Sequence, residues 1–528
     1  ARTSNVRAPP SLWQWQRLAV ESDMAYDPVV LRGGAVAFVG FSHPHMLWDR
    51  SALYVAWDDA PPALVEAHGL LDRCVLQPRV SPSGAYVSYL HDQFDTFRIA
   101  LWTVAEPDSR SGEASCRRVV YLIWEGPTVA HLSLWNTGQS SYTWLSEYEV
   151  GASFLYVGAH DDGTFGLYRV ELEWEAPGGA AKATRLALSW AEEEVTDGLP
   201  PFCLDQCVFH TVSSAAGCVT AVASGPTYPA GIIFFCLEGA TGKVRLLDTA
   251  LASLGPCDLA VPCSGPPPAT LRNRAVSAPR GGATGRTSVP AVAMHWEDGP
   301  TSRPFLVLLH GGPTGVFTVR FHPLVSFLLD AGFVVIGVNY RGSLNCGRAY
   351  RQSLCGTWGE ADVEDALAVV RHLRDHGVDG IRPSAVHVGG SSAGGFTALL
   401  CARFPAEIDS ILAICAVADL QGFASQTHLL ERYYNHSLLS GDDEERARLE
   451  VTRSPLFCVR GPTAPVLLLH GQDDLVVPPS QAVAMHNTLG DTATLHLYPG
   501  GHSFIYNPNV LSNALPRIEE FFLLNSKR

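Results

Sequence analysis

Residues 388–400 read VGGSSAGGFTALL. A short apolar run, Ala385–Val388, leads into this stretch, and an apolar run with helix-forming residues leaves it. The glycines therefore fall at a strand-to-helix turn. Gly390-Ser391-Ser392-Ala393-Gly394 has G-x-S-x-G spacing, and a turn this tight tolerates only small residues around its serine. Ser392 would then stand at a helix N-terminus, where backbone amides stabilise developing negative charge. Ser391 is the competing serine, disfavoured by the spacing of the glycines.

A serine at its ordinary pKa is a weak nucleophile and needs a base held by an acid. Downstream, LLLHGQDDLVVPP (467–479) places Asp473 and Asp474 just past a predicted strand, where open α/β sheets carry their sites. Then LHLYPGGHSF (495–504) sets His502 on a Gly-Gly loop after the last predicted strand. Ser, Asp, His is the chain order used by α/β-hydrolases. Spacing alone leaves Asp473 and Asp474 both open. Upstream, LLHGGPTG (308–315) follows the first strong strand. An HGG loop supplies part of an oxyanion hole, here through the amide of Gly312 in preference to Gly311, with the amide of Ala393 as second donor.

The pattern around these motifs is β/α. Phe305–Leu309 and Phe333–Val338 are wholly apolar and short, as strands buried on both faces of a parallel sheet should be. Further strands are predicted at Ala385–Val388, Ile411–Val417, Val466–Leu469 and Leu495–Tyr498, with a helix at Glu360–His376. This alternation implies an α/β-hydrolase domain at 275–528 with a doubly wound, mostly parallel sheet.

Residues 1–265 have a different character. Ala85–Val104 reads as strand, polar hairpin, strand, and the stretch from Ser153 repeats it, Thr96-Phe97 being matched by Thr164-Phe165 at 164 − 96 = 68 residues. The excess over the roughly 40–50 residues of a propeller blade is absorbed by the loop AEPDSRSGEAS after Val104. Other β-type runs are Ala35–Phe41, Val208–Val212, Val219–Ala223 and Gly231–Leu237. Many short strands without helices indicate a sandwich or a propeller, and repetition favours an all-β propeller of about six or seven blades. The Pro, Gly and Ser-rich stretch 263–288 makes the connection and the first hairpin of the next domain.

A chain of 528 residues exceeds one core, in keeping with this division. Its net charge of −15 argues against nucleic acid or an anionic membrane as partner. No apolar run reaches membrane-spanning length. The opening ARTSNVRAPPSLWQW lacks the apolar core of a secretory signal and starts on Ala, as a processed chain or a piece of a longer one would. Thirteen cysteines, several inside apolar runs, read as reduced thiols in the cytoplasm and not as a disulfide scaffold. Cys203 and Cys207 form a lone C-x-x-x-C without the further ligands zinc requires, so neither metal nor cofactor is expected. A homo-oligomer is compatible with everything in the sequence.

HGGPTG, VNYRGSLNCGRAYRQ, GTWGEADVEDA, GGSSAGG, THLLERYY, HGQDDLVVPP and GGHSF occur in the order seen in the prolyl oligopeptidase family of serine peptidases. The resemblance covers roughly residues 275–528 and is nearest the acylaminoacyl-peptidase and dipeptidyl-peptidase-like branch. It implies that Asp474 is the acid, being four residues after His470 and four before Pro478. It further implies a propeller that restricts access to short peptides. The dipeptidyl peptidases of the family hold a free amino terminus with propeller glutamates, a role open to Glu192, Glu193 and Glu194, although an acidic run is more often a solvated face. Ser503 stands where Gly is common after the histidine, and Ser391 where Gly is commonest before the nucleophile. Neither departure removes a reacting group. Trp358, beside Gly359, is expected to pack and not to wall a specificity pocket.

These readings imply a serine peptidase of short peptides. Two alternatives stand beside it: a carboxylesterase using the same three residues, and a non-catalytic propeller protein with a vestigial hydrolase.

Overall fold

The computed structural model describes residues 24–526 apart from 58–61, 66–72, 105–118, 132–139, 149–150, 174–180, 186, 190–207, 216–217, 226–230, 239–242, 250–270, 281–287 and 440. The N-terminal part contains strands and no helices among these residues. They form four small sheets.

The first sheet takes Met24–Val30, Val36–Phe41, Ala52–Ala56 and Ala63–Leu64 in chain order, each antiparallel to the next. The second takes Val75–Val80, Tyr86–His91, Arg98–Thr103 and Val119–Tyr121, and the third Tyr142–Tyr148, Gly151–Ala159, Phe165–Glu173 and Ala181–Arg185, with the same plan. In the fourth, Val208–Ala215, Cys218–Ser224, Gly231–Glu238 and Lys243–Thr249 repeat it, and Ala187–Ser189 adds a parallel strand on the outer edge. The two hairpins read from the sequence are the second and third strands of the second and third sheets. Their 68-residue offset is thus the step from one sheet to the next. The loop held responsible for its length lies outside the described residues.

Successive sheets are stacked. Val75–Val80 packs on the first sheet, and Val208–Ala215 on the third. Between the second and third sheets the Tyr142 hydroxyl donates to Gln77 O at 2.9 Å, and Ser141 N donates to Gln77 Oε1 at 2.8 Å. These polar groups are buried and mutually satisfied, so each fixes how one sheet sits on the other.

The C-terminal part is built on one eight-stranded sheet: β1 (Leu271–Pro279), β2 (Ser288–Trp296), β3 (Ser302–Leu309), β4 (Val334–Val338), β5 (Arg382–Ser391), β6 (Ser410–Ile414), β7 (Val466–Gly471) and β8 (Ala493–Tyr498). Their spatial order is β1-β2-β4-β3-β5-β6-β7-β8, with β2 antiparallel to both its neighbours and every other pairing parallel. Alternate residues of one strand enter different cores. Phe305, Val307 and Leu309 join one cluster and Leu306 the other, so both faces are covered, as the continuous apolar runs require. Of the helices α1 (Pro323–Asp330), α2 (Arg348–Gln352), α3 (Ala361–His376) and α4 (Ala393–Cys401), α3 and α4 cover the first face, while α1 and Pro508–Asn525 cover the second. The parallel arrangement brings the C-terminal ends of β3, β5, β7 and β8 to a single edge. The HGGPTG, GGSSAGG, HGQDD and GGHSF motifs leave the sheet there.

Candidate active site

The turn from β5 into α4 holds Ser392 at φ 57° and ψ −121°. A side chain in left-handed backbone is strained, and such strain persists only where surrounding structure over-determines it. Here the Ser392 amide donates to Ile414 O at 2.8 Å and its carbonyl accepts from Phe396 N at 3.0 Å. The turn closes so tightly that a Cβ on Gly390 would lie 2.4 Å from the Gly394 carbonyl carbon, which is why that position takes no side chain. Beneath α4, the buried Asp362 of α3 accepts from Thr397 Oγ1 at 2.5 Å and from Gly359 N at 2.7 Å. Burial pushes the Asp362 carboxyl up to about 6, against those hydrogen bonds. Trp358 is buried against Phe396 of α4, with ring centroids 4.5 Å apart, so it packs as expected.

Asp474 and His502 are brought together by two adjacent loops, after β7 and β8. A Cβ on Gly471 would lie 2.4 Å from Gly501 O and 2.5 Å from Gly500 O, so the two backbones touch where the loops begin. His502 Nδ1 lies 2.7 Å from Asp474 Oδ2. The other carboxylate oxygen accepts from the amides of Val476 and Val477, each at 2.9 Å. Burial alone would raise this carboxyl, but donors from His470, His502 and the Val477 amide hold it well below the usual carboxylate range. It is therefore an anion at every working pH, and it fixes the His502 ring with Nδ1 as donor. The neighbouring carboxylate does something else. Asp473 is exposed, and its Oδ2 accepts from Gly500 N at 3.2 Å while its amide donates to Gly500 O at 3.0 Å. It laces the two loops together and leaves His502 to Asp474.

The loop after β3 lies against the serine turn. A Cβ on Gly311 would sit 3.5 Å from Ser392 Cβ and 3.2 Å from Ser391 O. Among the described residues the Gly312 and Ala393 amides have no backbone acceptor. The loop itself is held from several sides. Tyr340 OH donates to His310 O at 2.7 Å, His310 Nε2 lies 2.7 Å from Ser343 Oγ, and Tyr434 OH donates to Thr314 Oγ1 at 2.6 Å.

Two features near His502 escaped the sequence reading. Glu431, inside the THLLERYY motif, is largely buried and lies 3.6 Å from His428 Nε2. Burial foremost pushes its carboxyl up to about 7, the Asp474 charge adding to this and His502 opposing it. No periodicity marks such a residue; only its place in a quoted motif could have drawn notice. Behind Asp474, Cys415 and His470 complete a buried group whose donor atoms lie within 4.8 Å of one another. This is the one donor set among the described residues that could hold a metal. Its members are otherwise committed: His470 Nε2 donates to Val477 O at 2.8 Å, Asp474 serves His502, and burial raises the Cys415 thiol. It reads as packing around the acid. Cys74, Cys346, Cys355, Cys401, Cys415 and Cys458 are free thiols. Glu192, Glu193 and Glu194, and likewise Cys203 and Cys207, lie outside the described residues.

Residues 319–527 match the model of the prolyl oligopeptidase family. Acylamino-acid-releasing enzyme 1 of Oryza sativa subsp. japonica is 31% identical over 210 residues, which is 38% of this chain and 26% of that enzyme. Dipeptidyl peptidase family member 6 of Caenorhabditis elegans is 29% identical over 231 residues, 41% of this chain and 30% of that protein. The chain thus spans only about a quarter to a third of the curated relatives it matches. Among solved structures, a puromycin-hydrolyzing peptidase of Mycobacterium tuberculosis superposes with a TM-score of 0.72 at 25% identity, over 95% of this chain and 69% of that one. A puromycin hydrolase gives a TM-score of 0.74 at 22% identity, over 96% and 70%, and so speaks for the fold alone.

Proposed function

We propose that this chain, whose residues 319–527 match the prolyl oligopeptidase family, is a serine peptidase that hydrolyses short peptides through an acyl-enzyme on Ser392. The observation that carries the reading is the 2.7 Å pairing of His502 Nδ1 with a buried, ionised Asp474, on the sheet edge where the strained Ser392 turn also emerges.

In this scheme His502 Nε2 takes the Ser392 hydroxyl proton as Oγ attacks the peptide carbonyl. The tetrahedral oxyanion is received by the amides of Gly312 and Ala393. His502, now an imidazolium stabilised by Asp474, gives its proton to the leaving amine, and the C–N bond breaks. Water then attacks the ester by the same route and frees Ser392. No cofactor or metal takes part.

The four stacked sheets fit blades of a β-propeller, and the eight-stranded sheet fits a doubly wound hydrolase core, with the division at 1–265 and 275–528. A propeller set over the sheet edge would exclude folded proteins and pass short peptides. Similarity to acylamino-acid-releasing enzymes favours substrates with a blocked amino terminus. Free thiols suit a reducing, cytoplasmic setting; no helix among the described residues is long and apolar enough to cross a membrane.

The test is a panel of N-acetylated aminoacyl amides, free dipeptidyl amides and aryl esters on the purified chain. Turnover of the blocked amides is the expected result. Preference for the free dipeptides would revive amine binding by Glu192, Glu193 and Glu194. Ester turnover with no amide turnover would make the protein a carboxylesterase, and no turnover of any class would leave a vestigial hydrolase.

A further inference from the structure

The loop His310–Gly315, read above as the oxyanion loop, is not held by its own domain alone. Leu344 N donates to Gly315 O at 2.8 Å, and His310 Nε2 lies 2.7 Å from Ser343 Oγ, so the segment 343–344 supports the loop from behind. The next residue, Asn345, reaches the N-terminal sheets. Its Nδ2 donates to His131 O at 2.9 Å, and its Oδ1 accepts from His131 N at 3.0 Å. This reciprocal pair copies the hydrogen bonding of two strands, with a side-chain amide in place of one backbone. It also occurs at φ 63°, a left-handed backbone that asparagine tolerates better than other residues with a side chain.

The anchor on the other side is rigid for a physical reason. Val129 N donates at 3.1 Å to Phe97 O, just before the third strand of the second sheet, and Ala130 N donates to Val157 O at 2.7 Å in the third sheet. The backbone entering His131 is therefore sewn to two sheets at once. The His131 ring packs on Phe97, with centroids 4.4 Å apart, and the Arg351 guanidinium lies over the other partner of that contact at 5.5 Å. Further along, Val319 N donates to Gly163 O at 3.0 Å, so a third-sheet hairpin also grips the chain leaving the loop.

We propose that Asn345 is a positioning residue for the reaction: through it the N-terminal sheets hold the His310–Gly315 loop where it receives the oxyanion. The inference rests on the reading of that loop given under the proposed function. On this account the N-terminal part belongs to the catalytic apparatus as well as covering it. Losing the tie lets the loop drift from Ser392, and the loss falls on tetrahedral species, because only they load the oxyanion donors fully.

Asn345→Gly removes both side-chain bonds and keeps the φ accessible. In the full chain it should lower kcat about tenfold with KM within about twofold. Affinity for a peptidyl boronic acid, which mimics the tetrahedral adduct, should fall by a similar factor, and affinity for the N-acyl amino-acid product should not move. Asn345→Asp is nearly isosteric, keeps the acceptor for His131 N and loses the donor to His131 O; the same split at smaller size is expected. Unchanged boronate affinity in both variants would overturn the proposal. So would equal losses for boronate and product, which would mean general loosening. The site reading itself is checked apart from this, by fluorophosphonate labelling of the wild type: a wild type that labels beside an unaffected Asn345→Gly sinks only the positioning role.

Discussion

The two carboxylates of the acid loop are adjacent in the chain, yet they do different work. Asp474 is buried, accepts two backbone amides on one oxygen and His502 on the other, and stays ionised. Asp473 is exposed and joins two loops through Gly500. The lesson is that what surrounds a carboxylate decides what it can do, and loop geometry supplies the surroundings that suit Asp474 to its proposed role of orienting His502. The same contrast separates the two parts of the molecule. The C-terminal sheet is buried on both faces and aims its residues with its own strands, whereas the N-terminal sheets act at the site through a few polar ties.

The contrast between the two aspartates yields the largest expected effect. Asp474→Asn should lower kcat by about 10⁴-fold, because an amide no longer fixes the His502 tautomer. Asp473→Asn removes one exposed, long hydrogen bond and should leave kcat within about threefold. Steady-state kinetics on the two purified variants would show it; similar losses in both would erase the distinction.

The next effect concerns the junction of the two parts. Arg351 is buried and pairs with Asp92, which also accepts from Cys74 N at 2.8 Å, and Arg351 reaches Trp48 O at 3.2 Å. Arg351→Met leaves the buried Asp92 carboxylate with Arg348 at 3.8 Å and the Cys74 amide as its remaining partners, and should cost about 3 kcal/mol of unfolding free energy. The double variant Arg351→Met with Asp92→Asn should recover part of that loss. Urea unfolding measures both, and a single variant as stable as the wild type would show that the junction does not depend on this pair.

Glu431 gives the smallest and most pH-specific effect. Its carboxyl is neutral below about 7 and charged above. A carboxylate near His502 favours the imidazolium that forms during reaction, so kcat should rise as pH passes upward through 7. Glu431→Gln should remove that step, about fivefold in size, and leave the rest of the profile in place. A profile unchanged by the substitution would take Glu431 out of the account.

How much of this was legible in the sequence follows from the same physics. Phe305–Leu309 announced a doubly buried strand because burial on both faces removes polar alternation, and β3 indeed runs through it. Ser392 was legible because a steric constraint forces small residues around it. Asp473 and Asp474 were not separable by spacing, since the separation lies in the amides of Val476 and Val477 and in the touching backbones at Gly471. Asn345 and His131 are 214 residues apart, and no local pattern can pair them. Neither could composition reveal Glu431, whose raised carboxyl depends on its burial in the folded chain.

The most direct test treats the wild-type chain with a fluorophosphonate and maps the modified residue by peptide mass spectrometry. The account predicts a single adduct on the peptide that contains Ser392, located on that serine and absent from Ser392→Ala. An adduct on Ser391, or none on a folded wild-type chain, would contradict it.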